Sequence, residues 1–184
     1  MSWELEYHNW SQLEAAGGAS KVPEAITALE AATTNEAALA AYWKIDNTVV
    51  VQGAVYPAAL PTVRSLLIGL ARSTVVARPH ILELLVQIGG GEPAQVAASN
   101  ADIVHRCLVE IARGVPIYMD ILERSINSDE RAFCVDLLGF CCRVDTSLRE
   151  RVRWYFEKVK SGRPSDGLLR LMSSWEEEIA TATT

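Results

Sequence analysis

The sequence predicts an all-α fold, a stack of antiparallel helix hairpins in which about eight or nine helices form one domain over residues 1–184. Three observations predict it. Apolar residues recur at spacings of three and four almost throughout, as expected of helices that bury one face. Breakers return at short intervals, so the periodic stretches are helix-sized and their links join antiparallel neighbours. The one β-like run, 48–51, is too short and isolated to build a sheet.

The first expected hairpin pairs residues 22–32 with 35–46, Pro23 opening its first helix and the polar stretch 33–35 turning the chain. Gly53 and Pro57 then break the chain ahead of a second hairpin, 58–72 with 78–88. Pro61 and Pro79 each fall in a first helical turn, where no intrahelical N–H is lost, so they mark starts and not kinks. The run Gly89-Gly90-Gly91 lacks the Lys and Ser or Thr of a phosphate loop and reads as a helix cap and turn. A helix over 103–112 stops at Gly114, and Pro116 separates it from the next hairpin, 116–126 with 129–143. The last hairpin pairs 146–160 with 165–179, and its final helix turns Glu176, Glu177 and Glu178 to solvent as a polar cap. Residues 181–184 are expected to fray. A weak internal repeat runs through this order. Placing Pro61 on Pro116 brings Leu66 and Leu67 onto Ile121 and Leu122, and the following helices carry the matching pairs Leu84-Leu85 and Leu137-Leu138.

Composition narrows the chemistry. A net charge of −6 argues against coating nucleic acid or an anionic membrane with the whole surface and favours a basic partner. With no apolar run of membrane-spanning length and no basic, apolar leader around Trp10, a cytoplasmic location is expected. Cys107, Cys134, Cys141 and Cys142 lack the short paired spacings of zinc sites and read as reduced packing residues, so neither metal nor cofactor is expected. His105 and Cys107, two apart on a helix, face different ways and cannot form a local nucleophile–base pair. His8 with Glu4, and His80 with Glu83, each offer one carboxylate at helical spacing, too few ligands for a metal. His80 reads as a partly exposed residue at a helix start. No enzyme constellation emerges.

Helix faces offer better material. His80, Glu83 and Gln87 form a polar stripe opposite Ile81, Leu84, Leu85 and Ile88, and Asp129, Asp136 and Arg143 do the same one hairpin later. Asp102, Arg106, Glu110 and Arg113 form a ladder of opposite charges that reads as surface pairing. Residues 143–163 hold seven basic side chains against three acidic ones, a balance of +4 that leaves −10 for the rest of the chain. This basic helix, with Trp154, Tyr155 and Phe156, supports a rival reading as a nucleic-acid binder. Against it, the cations lie on several helix faces and the aromatic cluster has core-compatible spacing.

The link Asn127-Ser128-Asp129, followed by Arg131, Ala132 and Leu137-Leu138, resembles the HEAT repeat consensus, with its turn aspartate and its arginine and small residue early in the second helix. Roughly residues 10–92 resemble a bacterial family of small HEAT-like proteins. The marks are Trp10, Leu13, Glu14, Gly17, Gly18, Ala19, Val22, Pro23 and Leu29, then Gln52-Gly53-Ala54-Val55-Tyr56-Pro57-Ala58 ahead of Val63 and Leu66. That family carries histidines near the positions of Ala15 and Val51, which this chain lacks. The resemblance implies a HEAT-like α-solenoid whose second helices line a concave side, and it extends to immunity proteins that bind and block a cognate bacterial toxin. The expected partner is that toxin or another basic protein, with no membrane partner. The expected contacts are Glu83, Gln87, Asp129, Glu130 and Asp136, and Gly53, Tyr56 and Pro57 are assigned to structure. A general interaction scaffold is the alternative, and a nucleic-acid-binding or base-processing repeat protein follows it.

Overall fold

The computed structural model describes residues 2–96 and 100–181. In chain order these form α1 (Trp3–Tyr7), a 3₁₀ turn (Trp10–Gln12), α2 (Val22–Glu30), α3 (Asn35–Val49), β1 (Val50–Val51), β2 (Ala54–Val55), α4 (Ala59–Leu70) and α5 (Arg78–Gly89). There follow β3 (Glu92–Pro93), α6 (Ile103–Ala112), α7 (Val115–Arg124), α8 (Ser128–Val144), a 3₁₀ turn (Thr146–Leu148), α9 (Arg149–Ser161) and α10 (Asp166–Thr181). The all-α class holds. Among the described residues the α-helices number ten, one or two more than expected, because five-residue α1 is too short to show a period. The expected tail 181–184 lies outside the described residues beyond Thr181.

The signals that predicted helix boundaries are those that set them. Pro23, Pro79 and Pro116 open α2, α5 and α7 in their first turns. The Thr34 hydroxyl accepts from the Ala37 N–H (3.3 Å), and Asn127 Oδ1 accepts from the Asp129 and Glu130 N–H groups (2.9 and 3.0 Å), satisfying donors that have no intrahelical partner. The β-like run is a correction. Thr48 and Val49 finish α3, while Val50–Val51 pairs antiparallel with Ala54–Val55, and β2 pairs in parallel with β3. The two-residue turn has φ of 51° at Gln52 and 81° at Gly53, left-handed at both central positions, which matches the twist of a tight hairpin.

The chain forms two compact units, Met1–Ile111 and Ala112–Thr184. In the first, α2 pairs with α3 and α4 with α5. The hairpins stack like on like, α2 against α4 and α3 against α5. Ile26, Leu29, Ile45, Leu66, Ile81, Leu82, Leu84, Leu85 and Ile88 are fully buried between them. The small sheet ties the loop after α5 to this stack, with Asn100 Nδ2 donating to the carbonyls of Val55 (3.1 Å) and Ala94 (2.8 Å). In the second unit α7 pairs with α8, and α10 packs on α8 and α9. Its core holds Tyr118, Leu122, Cys134, Leu137, Leu138 and Phe156. The Tyr155 hydroxyl donates to the Met119 carbonyl (2.6 Å), pinning α9 to α7.

All four cysteines are buried thiols outside any disulfide. Burial pushes the Cys107 thiol up to about 12 and that of Cys142 up to about 11, and it raises Cys141 as well. The charge ladder on α6 is only partly a surface feature. Arg106 and Asp102 lie 4.0 Å apart, but Glu110 is 6% exposed and its carboxylate accepts from Arg64 of α4 at 2.8 Å.

Candidate protein-binding face

On α5 the apolar stripe Ile81, Leu84, Leu85 and Ile88 is fully buried, which turns His80, Glu83 and Gln87 outward. His80 and Glu83 are half-buried, whereas Gln87 is exposed. Because α3 packs on α5, Glu83 lies beside two side chains of α3, Tyr42 and Asp46, and both carboxylates face the one Tyr42 hydroxyl. Burial raises the Asp46 carboxyl first, the Glu83 charge raises it further, and the bond to Tyr42 offsets part of the shift. Burial and the same two carboxylates push the Tyr42 hydroxyl up. The ring of His80 lies 5.8 Å from that of Tyr42, and its Nε2–H donates to Asn35 Oδ1 (3.1 Å). Nδ1 of His80 is buried without a hydrogen-bond partner. The result is a half-buried acidic pair around one phenol, suited to receiving a cation from outside.

Tyr42 and Asp46 were missed at the sequence level. Their spacing of four on α3 is visible, but their meeting with Glu83 depends on which helices pack together.

The remaining expected contact residues lie in the second unit. Asp129 is exposed in the first turn of α8. Glu130, in the same turn, is 3% exposed and accepts from the Ser125 hydroxyl, whose Oγ in turn accepts from the Asn127 N–H (3.1 Å). Its burial fits the helix cap better than an outward contact. Asp136 is half-buried, and its Oδ1 accepts from the Trp175 indole N–H (2.8 Å). Burial raises its carboxyl, and that bond offsets part of the shift. Arg143 is held by Glu178 through two hydrogen bonds of 2.6 and 3.1 Å and stacks over Phe140 and Trp175.

Much of the positive charge on α9 is spent internally. Lys158 donates to Glu123 (2.7 Å), Lys160 to Glu157 and Glu176, and Arg149 to the Cys142 carbonyl (3.2 Å). The aromatic cluster divides, since Tyr155 and Phe156 are buried and Trp154 is 65% exposed. The core spacing therefore holds for two of the three. Arg153 and Trp154 share a groove with Glu150, Glu157 and Glu176. Among the described residues no group of three His, Cys, Asp or Glu side chains could hold a metal ion, and no helix is long and apolar enough to cross a membrane. In comparisons with known proteins, no family model, no curated protein and no solved structure matches the chain.

Proposed function

We propose that this chain is a protein-binding helical repeat protein that acts as an immunity protein, occluding the basic substrate-binding cleft of a cognate toxin. The observation that supports this most is the acidic pair of Asp46 and Glu83 on adjoining second helices, with exposed Gln87 one turn further along α5. Two carboxylates held around one hydroxyl repel each other, and a lysine or arginine from a partner relieves that repulsion. The surrounding face needs no reactive group of its own, because occlusion is a matter of shape and charge. Asp129 on α8 is a further acidic contact open to solvent, while Glu130 and Asp136 contribute by holding α8 in place.

The test is affinity capture of the tagged protein from lysate of its source organism, followed by titration of the purified partner. One stoichiometric basic enzyme, inhibited on binding, is expected. The variant Glu83→Lys with Gln87→Lys is expected to lose roughly 2–5 kcal/mol of binding while keeping its helical circular dichroism. Unchanged affinity would sink the acidic-face reading. Several clients of moderate affinity would indicate a scaffold. Salt-dependent nucleic-acid binding abolished by Arg149→Glu and Arg153→Glu would move the function to α9 and its exposed Trp154.

A further inference from the structure

The first unit contains a cleft between α2 and α3 in which, among the described residues, Thr48 is the one polar side chain spent on a hydrogen bond of the fold, to the Lys44 carbonyl (2.7 Å). Its volume is about 660 Å³. That lies within the usual span of small-molecule sites, on the order of 300–1,000 Å³. Small residues create the space, with Ala25 and Ala28 lining it from α2 and Ala16, Gly17 and Gly18 from the segment ahead of α2. The segment is anchored: the Ala16 N–H donates to the Thr48 carbonyl (3.0 Å), and the backbone carbonyl of Glu14, just before it, accepts from the Ala58 N–H (3.1 Å). That side of the cleft is therefore fixed.

Three groups in it are unspent. The Trp43 side chain stands in the α3 wall, 49% exposed, and an edge-to-face contact with Tyr42 at 5.0 Å orients its ring. Lys21, at the start of α2, and Lys44, on α3, line the cleft from its two sides. Neither lysine has an ion pair or a side-chain hydrogen bond among the described residues. Ser20, Glu24, Asn47 and Thr48 complete the polar lining, and among the described residues Glu24 is its only carboxylate. A flat π surface beside two cations, in a chain of net charge −6, selects a ligand that is both planar and anionic.

We propose that this cleft binds a mononucleotide, the base stacked on Trp43 and the phosphate held between Lys21 and Lys44. Glu24 and Asn47 then face the sugar hydroxyls and the base edge, which an aromatic acid without hydroxyls would leave unanswered. A volume of about 660 Å³ suits a single nucleotide better than a strand. The site uses neither Glu83 nor Gln87, so its fate and that of the toxin-binding reading are separable.

Isothermal titration of the full chain with AMP, GMP, CMP and UMP tests it, with adenosine and inorganic phosphate as half-ligands. Saturable binding of at least one nucleotide is expected, about tenfold or more tighter than either half-ligand, since stacking and charge each contribute. Lys21→Gln with Lys44→Gln should bring AMP down to the level of adenosine, and Trp43→Leu should weaken both, with circular dichroism unchanged in each variant. The proposal is overturned if no nucleotide gives a saturable heat, if the nucleoside matches the nucleotide that binds, or if the double lysine variant binds that nucleotide as the parent does.

Discussion

Trp175 shows how one side chain can join two helices. It donates to Asp136, meets Phe140 edge to face at 5.2 Å and carries Arg143 over its ring at 4.8 Å. All of this depends on Gly139, where an added Cβ would fall 2.1 Å from the indole. Gly139→Ala is therefore expected to destabilise the protein by about 1–3 kcal/mol, the usual cost of forcing a packed core apart, measured by urea unfolding. Trp175→Phe keeps most of the packing but removes the indole donor from Asp136, and should cost about 1–3 kcal/mol in the same assay. Neither residue's role was legible in the sequence. Asp136 sat correctly on a polar stripe, but its partner belongs to another helix, and helix periodicity reports only which face is wet. Glu110 teaches the same lesson: its spacing from Arg106 and Arg113 pointed to a surface ladder, whereas the packing of α6 sends it to Arg64.

Among the elements, the helices were readable because their start and stop chemistry is local. The proline starts and the Asn127 cap place α2, α5, α7 and α8 close to where the sequence put them. Asn127→Ala should cost about 1 kcal/mol in thermal or urea unfolding, because two N–H groups at the start of α8 lose their acceptor. The strands were harder to read, since each is two residues long and the third comes from far along the chain. Gln52-Gly53 between Val50-Val51 and Ala54-Val55 was the available signal, a two-residue turn with glycine second. Gly53→Ala is expected to destabilise by about 1–2 kcal/mol, because its left-handed backbone is unfavourable for any Cβ. Gly53 also presents its carbonyl to the Glu92 N–H (2.8 Å), so β3 should loosen with it, visible as faster amide exchange at Glu92 and Ala94.

At the scale of the whole molecule, the helix hairpins were legible and their specific partnerships were not. The aligned pairs Leu84-Leu85 and Leu137-Leu138 are all fully buried, each in the second helix of its hairpin, whereas in the first helices Leu67 is half-buried and its aligned Leu122 fully buried. Charge is distributed so that the fold carries a cost near neutral pH. Burial raises the carboxyls of Glu30, Asp46 and Asp136, so the folded chain holds these protons more tightly than the unfolded chain does. From the ordinary carboxylate range up through the raised values, their ionisation destabilises the fold as pH rises. Asp46→Asn with Asp136→Asn should therefore gain stability over the parent as pH goes from about 4 to about 7, and parallel curves would contradict this. The thiols have a different consequence. A buried thiol with a raised pKa is silent to alkylation until its surroundings open. Cys107 belongs to the first unit, and Cys134, Cys141 and Cys142 to the second, so the chain carries an internal clock in each half. Timed iodoacetamide labelling, read peptide by peptide, would show whether the two units open together or in turn, with no mutation of the protein.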